Sequence, residues 1–398
     1  MITITNADAA LKDYYLDAVN AQLNGEVSPF FNAIEKTGEN VFGKDVKLAI
    51  AKGGMAGVVA GSEDGELPAP RSNRYYGITL PLKNIYGTIE ISDKALRASE
   101  NSAGAFVNLL NAEMEGLVAG AKANFARMLY GDGNGRICTV TAKKSDYVLS
   151  VNSAKSYFKG LKVKVGSITP SGCEITAVDV AKKEITVSVS LKDETVSGGE
   201  KVCLFGAEGN EITGLGGIFD GSELYGHDKS TESYFQPYIK RCALSALTES
   251  DIIDVIDTLE ERADGKVNMI LCSYGVRKRI AELMSSSRRI VNTTDIAAGY
   301  SSIIVNDVPV YADKFCPDDR IYFVNANDFA LNQLCDWAWL EDEGGRILRQ
   351  VAGKAAYSAT LVKYAELVCK KPYGREKSLT KKGAKKGVFD PKKGGFRA

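Results

Sequence analysis

Apolar residues near the N-terminus recur with helical spacing. Within residues 7–24 they occupy positions 11, 15, 19 and 23, so they share one face of a predicted amphipathic helix. A second, short helix is predicted from Pro29, because Ser28 is a favourable N-cap and proline fits the first helical turn.

Strand-like alternation of apolar and polar residues follows in two runs, residues 46–50 and 78–82. Between them, residues 61–74 are rich in glycine, proline and charge, which is typical of a solvated loop. The pattern predicts a long hairpin with this loop as its tip. A two-stranded ribbon is marginally stable alone, so we expect a neighbouring chain to cover it, in part through Glu63, Asp64, Glu66, Arg71 and Arg74.

A sustained apolar stripe then predicts a long helix that starts after Ser99 or Ser102 and ends at Tyr130. The stripe consists of Phe106, Leu110, Met114, Leu117, Ala121, Phe125 and Met128. A helix of about 29 residues is roughly 43 Å long at 1.5 Å per residue. The glycine-rich sequence of residues 131–135 ends it.

Residues 136–206 have the pattern of short strands separated by glycine-rich turns. The predicted strands are residues 147–151, 161–165, 174–178, 184–190 and 201–204. We interpret this stretch as a small β-barrel inserted into the chain.

A mixed α/β pattern follows the barrel. Thr248 and Asp251 form a capping box for one helix, and a second helix is predicted from Ser273. Strands are predicted at residues 267–272, 302–305, 308–311 and 320–324, and two closing strands at 337–341 and 360–369. Ordered structure is predicted to end at Lys370, Lys371 and Pro372.

The charge of the chain is unevenly distributed although its formal net charge is zero. Residues 370–398 contain eleven Lys or Arg against two acidic residues, a net charge of +9, and residues 1–369 contain 39 against 48, a net charge of −9. The low apolar content of this tail favours a solvated extension. Contact with a polyanion or with another subunit is the alternative.

Composition excludes several classes of protein and site. The eight cysteines include no CxxC pair, and the single histidine, His227, leaves metal sites and triads without a second imidazole. No apolar stretch approaches the roughly 20 residues of a membrane span. The start of the chain has no basic segment followed by an apolar core, so we expect synthesis and use in a cytoplasm.

Two short motifs come close to ligand-binding loops but lack a required residue. Residues 38–45 nearly match a phosphate-binding loop, but Asp45 replaces the Ser or Thr that would hold magnesium. Residues 132–137 begin like a calcium loop, but Arg136 and Ile137 replace a ligand and the turning glycine. We expect plain turns at both places.

Other candidate groups also have structural interpretations. His227 could act as a general base, but nothing identifies a nucleophile, so a polar loop residue is expected. The acidic runs Asp318–Asp319 and residues 341–343 could supply a glycosidase pair or, more simply, solvated faces and subunit ion pairs. Trp337 and Trp339 are expected to pack in a core or an interface. We predict no catalytic, cofactor-binding or metal-binding residues.

The order of these parts resembles the major capsid protein of tailed bacteriophages, which has the Hong Kong 97-type shell fold. The stretches that carry the resemblance are ISDKALRAS before the long helix, ITGLGGIFDGSELYG, GYSSIIVNDVPVYADKFCPDDRIYFVNANDFAL and the closing YSATLVKYAELVCKKP. Two features depart from the family pattern. No scaffolding segment precedes the N-terminal arm in this sequence, so scaffolding is expected from a separate protein or from outside this sequence, and the β-barrel is an addition to the minimal fold. Some relatives are joined covalently through lysine and asparagine, but no motif assigns such residues here.

The resemblance implies an α+β fold with an inserted small β-barrel. Its expected segments are an N-terminal arm (1–43), an extended hairpin loop (44–91), a spine-helix domain (92–135), the β-barrel (136–206), a connector of the spine domain (207–240), an axial α/β domain (241–330), closing strands of the spine domain (331–372) and a basic C-terminal tail (373–398).

The function implied by the resemblance is a structural one without enzymatic activity. Copies of the chain would form hexamers and pentamers of an icosahedral virion shell around double-stranded DNA, assembled in the host cytoplasm. Expected partners are portal and scaffolding proteins, the packaged DNA and, in some relatives, decoration proteins, with no membrane and no cofactor. The alternatives are a shell protein of a cellular nanocompartment with the same fold and, from another class, a carbohydrate-active enzyme.

Overall fold

A computed structural model describes residues 28–51, 60–64, 75–94, 103–192, 194–196, 198–263, 266–286, 303–372 and 376–379. The described helices are α1 (Pro29–Ala33), α2 (Ala103–Met128), α3 (Leu215–Asp220), α4 (Glu249–Ala263) and α5 (Tyr274–Ser286). The described strands are β1 (Glu35–Thr37), β2 (Val41–Phe42), β3 (Asp45–Ala51), β4 (Tyr75–Pro81), β5 (Lys83–Ser92), β6 (Arg136–Lys143), β7 (Val148–Val151), β8 (Lys162–Val165), β9 (Cys173–Asp179), β10 (Glu184–Val187), β11 (Lys201–Leu204), β12 (Glu223–Leu224), β13 (His227–Asp228), β14 (Ile239–Cys242), β15 (Met269–Cys272), β16 (Ile303–Val305), β17 (Val308–Ala312), β18 (Arg320–Val324), β19 (Phe329–Trp339), β20 (Arg349–Gln350), β21 (Ala356–Cys369) and β22 (Glu376–Leu379).

The N-terminal elements agree with the sequence where they are described. Ser28 caps α1, because its Oγ accepts a hydrogen bond from the backbone N–H of Phe31 at 3.1 Å. The helix predicted over residues 7–24 lies outside the described residues.

A five-stranded sheet, which we call the spine sheet, packs against the long helix α2. Its central antiparallel pair is β19 and β21, with β1 parallel to β19 and with β5 and β20 on β21. Helix α2 lies so close to β5 that a Cβ on Gly87 would be 2.7 Å from Cδ1 of Leu117, which explains a glycine inside this strand. The ring of Phe125 on α2 packs edge-on against Phe31 and Trp337 in the core beneath the helix.

The hairpin is shorter than the sequence predicted. Strands β3 and β4 pair in antiparallel register from Asp45–Pro81 to Ala51–Tyr75, and β2 adds a third strand. The predicted hairpin loop extends to residue 91, but residues 83–92 form β5, which pairs with β21 in the spine sheet over its whole length. Its alternating buried residues Ile85, Ile89 and Ile91 face the core, which explains why this strand leaves the hairpin.

The base of the hairpin is covered by its own chain, contrary to the expectation of no intrachain cover. Tyr76 on β4 is buried and packs against the rings of Tyr234 and Phe235. Its hydroxyl donates a hydrogen bond to Oε2 of Glu232. Of the predicted tip residues, Glu63 and Asp64 are exposed, and residues 66, 71 and 74 lie outside the described ranges.

The axial domain is built on a six-stranded sheet, the axial sheet, with strand order β14-β22-β18-β15-β17-β16. Successive side chains of these strands point to opposite faces of the sheet, so alternate residues contribute to two different cores. Ile270 and Phe323 pack with the helices α4 and α5, whereas Leu271 and Tyr322 belong to the core of the spine domain. The predicted capping box is present, with Asp251 N–H donating to Thr248 Oγ1 at 3.1 Å and Thr248 N–H to Asp251 Oδ2 at 3.0 Å.

The sequence predicted that ordered structure ends at Pro372, but ordered structure continues beyond this residue. Residues Glu376–Leu379 form β22, which lies between β14 and β18 in the axial sheet. Sequence patterning does not reveal this strand, because a short strand flanked by lysines and glycines resembles a solvated tail. The remainder of the predicted tail, residues 380–398, lies outside the described residues.

The predicted barrel is confirmed. Its six strands, β6 to β11, close in the order β10-β7-β6-β11-β8-β9. The buried side chains in its core are those of valine, isoleucine, leucine, alanine, cysteine and tyrosine. Gly135 before it has a φ of +74°, and a Cβ there would lie 2.5 Å from the carbonyl oxygen of Ala207. The chain therefore enters and leaves the barrel at adjacent points.

Candidate functional site

The segment resembling a phosphate-binding loop is a strand turn. In residues 38–45, Val41 N–H donates to the Gly38 carbonyl at 3.1 Å, and the chain turns at Gly43, whose φ is +66°. Strands β2 and β3 flank this turn, so no helix N-terminus is available for phosphate. The expectation of a plain turn is confirmed.

The segment resembling a calcium loop is also a turn. Asp132 Oδ1 accepts a hydrogen bond from Asn134 N–H at 3.1 Å, and Oδ2 pairs with Arg136 at 3.1 Å. Arg136 therefore provides the positive charge that a bound cation would have provided. Across the described residues, no group of three or more His, Cys, Asp and Glu side chains is arranged to hold a metal ion.

The sequence predicted that His227 lies in a loop. In the structure it lies in a short ribbon formed by β12 and β13. Its ring stacks on Phe235, with centroids 4.7 Å apart and planes 6° apart, and meets Tyr76 edge-on at 5.1 Å. The histidine is thus one layer of the aromatic cluster that anchors the hairpin. This contact supports a packing role for it.

The acidic pair Asp318–Asp319 lies beside a groove between the barrel and the rest of the chain. Asp318 forms an ion pair with Lys155 of the barrel, and Asp319 lies 3.8 Å from Arg320. Burial raises the pKa of Asp318, but hydrogen bonding and the charge of Lys155 outweigh burial and hold this pKa below its ordinary value. An ionised, paired carboxylate is unsuited to act as a general acid.

The acidic run at residues 341–343 organises a turn between β19 and β20. Asp342 Oδ1 accepts hydrogen bonds from the N–H groups of Gly344 at 2.9 Å and Arg346 at 2.8 Å. These bonds hold the pKa of Asp342 below its ordinary value. The run therefore has a structural explanation within the subunit.

The groove beside Asp318 has a volume of about 820 Å³ and is lined by opposite charges. Its barrel wall includes Arg136, Lys155, Lys182 and Lys183. Its other wall carries both signs of charge, with Asp132, Asp220, Asp318 and Asp319 beside Arg127, Lys314 and Arg320. Ion pairs connect the two walls between Arg136 and Asp132 and between Lys155 and Asp318. The groove is consequently a charged seam that holds the barrel against the spine and axial domains.

Sequence reasoning missed the buried charges of the spine domain. Arg127 on α2 pairs with Glu211, and both are almost fully buried. Lys363 on β21 is fully buried, and its Nζ donates to Gln333 Oε1 at 2.8 Å and to Asp336 Oδ1 at 2.6 Å. Burial lowers the pKa of Lys363, and the hydrogen bond to Asp336 opposes this effect. A lysine in the middle of an apolar strand was the signal that could have revealed it.

Trp337 and Trp339 are both buried in the spine core, as expected. The cysteines are free, and most of them are buried. Burial raises the pKa of Cys138 to about 12 and that of Cys272 to about 12, so these thiols are not nucleophiles at neutral pH. Within the described part of the chain, no helix is both long and apolar enough to cross a membrane.

Exposed apolar residues on the spine sheet and on the hairpin form the candidate functional surface. On the spine sheet, Tyr86 is 57% and Leu334 is 59% exposed, and the Tyr86 ring contacts that of Tyr364 at a centroid distance of 6.5 Å. On the hairpin, Phe42 is 59% and Tyr75 is 61% exposed. In the described ranges β4 pairs with β3 alone, so its second edge offers backbone groups to another strand. These features fit contact with other protein chains.

Comparison with known proteins agrees with the architecture. A family model described as SU10 major capsid protein matches residues 237–346, which include most of the axial domain. The capsid asymmetric unit of cyanophage A-1(L) is similar over 87% of this chain and 90% of that chain, with a TM-score of 0.51 and 12% sequence identity. The chain has the Hong Kong 97-type capsid fold. The resemblance to tailed-phage major capsid proteins is thereby confirmed.

Two other solved structures are similar to the capsid fold of this chain at lower TM-scores. The capsid of an empty GTA particle is 11% identical, covers 89% of this chain and 90% of that chain, and has a TM-score of 0.49. The holo-SrpI encapsulin complex from Synechococcus elongatus PCC 7942 is 10% identical, covers 87% and 85%, and has a TM-score of 0.43. A search of curated protein sequences found no match.

Proposed function

We propose that this chain is the major capsid protein of a tailed bacteriophage. Copies of it form hexamers and pentamers, and these build an icosahedral virion shell around double-stranded DNA. The observation that carries the proposal is the match of the SU10 major capsid protein family to the axial domain of a chain that has the capsid fold over most of its length. Assembly takes place in the host cytoplasm, with portal, scaffolding and, in some shells, decoration proteins as partners.

The hairpin is the proposed contact between subunits. Its base is fixed by the aromatic cluster of Tyr76, His227 and Phe235. Phe42 and Tyr75 are exposed, and within the described ranges β4 has a strand partner on one edge only. A rigid base with an exposed apolar and hydrogen-bonding surface suits docking on an adjacent subunit. The charged tip at residues 61–74 then selects its position through electrostatic complementarity.

Deletion of residues 61–74 tests this contact. We expect a soluble, folded subunit that fails to form closed particles, measured by negative-stain electron microscopy and by circular dichroism of the same preparation. Replacement of the same segment by a Gly/Ser loop of equal length is the matched control for loop closure and should also fail to assemble. Normal particles from either variant would exclude the tip as an assembly contact.

Electron microscopy of the full chain separates the proposed function from its alternatives. A phage shell predicts large icosahedral particles, and a cellular nanocompartment predicts small ones. A carbohydrate-active enzyme predicts no particles, and it is disfavoured because Asp318 is ion-paired and Asp342 caps a turn. The nanocompartment is disfavoured because the barrel and the basic tail add mass that a small shell does not need.

The basic tail is proposed to contact packaged DNA. The body of the chain is acidic, and lysines such as Lys381, Lys382, Lys385 and Lys386 would offset its repulsion from phosphates by counterion release. Because β22 completes the axial sheet, the informative truncation removes residues 380–398 and leaves β22 in place. We expect empty shells to assemble normally, while the stability of filled particles falls in a salt-dependent way. Loss of assembly without DNA would favour contact with neighbouring subunits.

A further inference from the structure

Two buried polar side chains face each other across the central strands of the spine sheet. Asn332 on β19 and Glu366 on β21 are 0% and 2% exposed. They are direct partners in the antiparallel register, so their side chains lie on the same face of the sheet. Neither belongs to the ion pairs of Arg127 or Lys363 described above.

Each of these side chains has one oxygen with no hydrogen-bond partner among the described residues. Glu366 Oε1 accepts a hydrogen bond from the backbone N–H of Thr213 at 2.7 Å, and Asn332 Nδ2 donates to the Ala330 carbonyl at 3.4 Å. Glu366 Oε2 and Asn332 Oδ1 remain, both buried. Two acceptor oxygens cannot satisfy one another, and an unsatisfied buried acceptor is costly. A proton on the glutamate would convert one of them into a donor.

The surroundings of Glu366 also favour the protonated form. Burial raises its pKa to about 7, while the hydrogen bonds from Thr213 and the charge of Lys83 on β5 act in the opposite direction. Lys83 donates its Nζ hydrogen bond to the Gly209 carbonyl. Tyr225, after β12, has a pKa well above its ordinary value because of burial, so it is neutral and supplies no charge.

We propose that Glu366 is protonated in the folded subunit and donates its carboxyl hydrogen to Oδ1 of Asn332. The resulting chain of neutral hydrogen bonds runs from Thr213 in the connector through Glu366 to Asn332. It joins the segment leaving the barrel to both central strands of the spine sheet. Ionisation of Glu366 breaks this link, so the stability of the spine domain falls as the pH rises towards 7. The proposal concerns the single subunit and does not depend on the proposed function.

Infrared difference spectroscopy gives a direct test on the full chain. At pH 6 we expect the wild type to show the carbonyl stretch of a protonated carboxylic acid, which shifts on transfer to D2O and disappears in Glu366→Gln. The matched control is Glu90→Gln, which removes an exposed glutamate from the adjacent strand β5 and should leave the band in place. A band that persists in Glu366→Gln, or no such band in the wild type at pH 6, would overturn the proposal.

Hydrogen exchange measures the energetic consequence. An unfolded glutamate titrates near 4.5 and Glu366 near 7, so between these values the folded chain binds more protons, and stability falls as pH rises. Glutamine keeps both hydrogen bonds without titrating. The exchange rate of peptides from β19 and β21 in the wild type, divided by that in Glu366→Gln at the same pH, should therefore rise by up to about tenfold per pH unit and level off above pH 7.

Peptides from the barrel are the internal control in this measurement, and their exchange ratio should stay constant. A ratio for β19 and β21 that is the same at pH 5 and pH 8 would show that Glu366 does not change its protonation in this range, and the proposal would be wrong. If Glu366→Gln fails to fold, the infrared band of the wild type and its loss between pH 6 and pH 9 decide the question.

Discussion

The barrel and the spine sheet assemble β strands from very different parts of the chain. All six barrel strands come from one continuous stretch, β6 to β11, and its core residues Leu149, Val163 and Ile175 are fully buried apolar side chains. The spine sheet collects its five strands from three separate stretches of the chain: β1, β5, and β19 to β21. Its domain also buries charged side chains, among them Arg127 and Lys363.

This difference shows two ways of specifying a structure. The barrel needs only local alternation and turns, so it can be inserted in a chain without changing the rest. The spine domain depends on partners that are far apart in sequence, and a buried charge is tolerated only when its distant partner is in place. We infer that the buried charges help to select the correct non-local pairing, at a cost in stability.

Excision of the barrel should have the largest effect on the particle, and it tests whether the rest of the chain folds without the barrel. Because Gly135 and Ala207 are adjacent, a short Gly/Ser linker can replace residues 136–206 without moving the flanking elements. We expect the remaining chain to fold and to assemble with a smoother particle surface, measured by circular dichroism and electron microscopy. Precipitation of the shortened chain would mean that the barrel is part of the common core.

Substitution of Arg127 by methionine should have the next largest effect. It leaves Glu211, which is 2% exposed, without its partner, and breaking a buried pair costs about 3–5 kcal/mol. Urea unfolding of the full chain measures the loss. The double variant with Glu211→Gln is the matched control and should recover part of the stability, because no unpaired charge remains. Equal stability of Arg127→Met and the wild type would contradict the role given to this pair.

Substitution of Lys155 by alanine should have the smallest effect. It removes the ion pair with Asp318 across the charged seam, and both side chains are more than a third exposed. Such pairs contribute about 0.2–1 kcal/mol, less at high salt. We expect a small drop in Tm at low salt that vanishes at high salt. The control is Lys144→Ala, which removes an exposed ion pair with Glu184 that lies wholly within the barrel segment. A large, salt-independent drop would show that the barrel and the body share more than this seam.

The sequence predicted the barrel and the axial domain well because their signals are local. The predicted strands at residues 201–204 and 320–324 have the bounds that the structure shows, and the capping box of Thr248 and Asp251 is present. Residues 83–91 were assigned to the hairpin loop because no local signal shows that β5 pairs with the distant strand β21. Strand β22 was missed because its composition is that of a tail.

The polar groups of the spine domain could not be predicted for a related reason. Lys363 and Glu366 stand out as charges inside an apolar strand, and this pattern signals burial. Their partners Asp336, Asn332 and Thr213 are far away in sequence, and only the register of β19 with β21 and the path of the connector bring them together. The predicted absence of catalytic residues stays a prediction.

The position of β22 has a consequence for the order in which the subunit is made. Strand β14, at Ile239–Cys242, finds its ladder partner in β22, more than 130 residues later. During translation, the barrel can close as soon as its last strand has left the ribosome, since domains fold as units from the N-terminal side. The axial sheet must wait for the C-terminal segment. Synthesis of residues 376–379 is therefore the step that completes the axial sheet, and chains terminated before them are left with an open sheet edge.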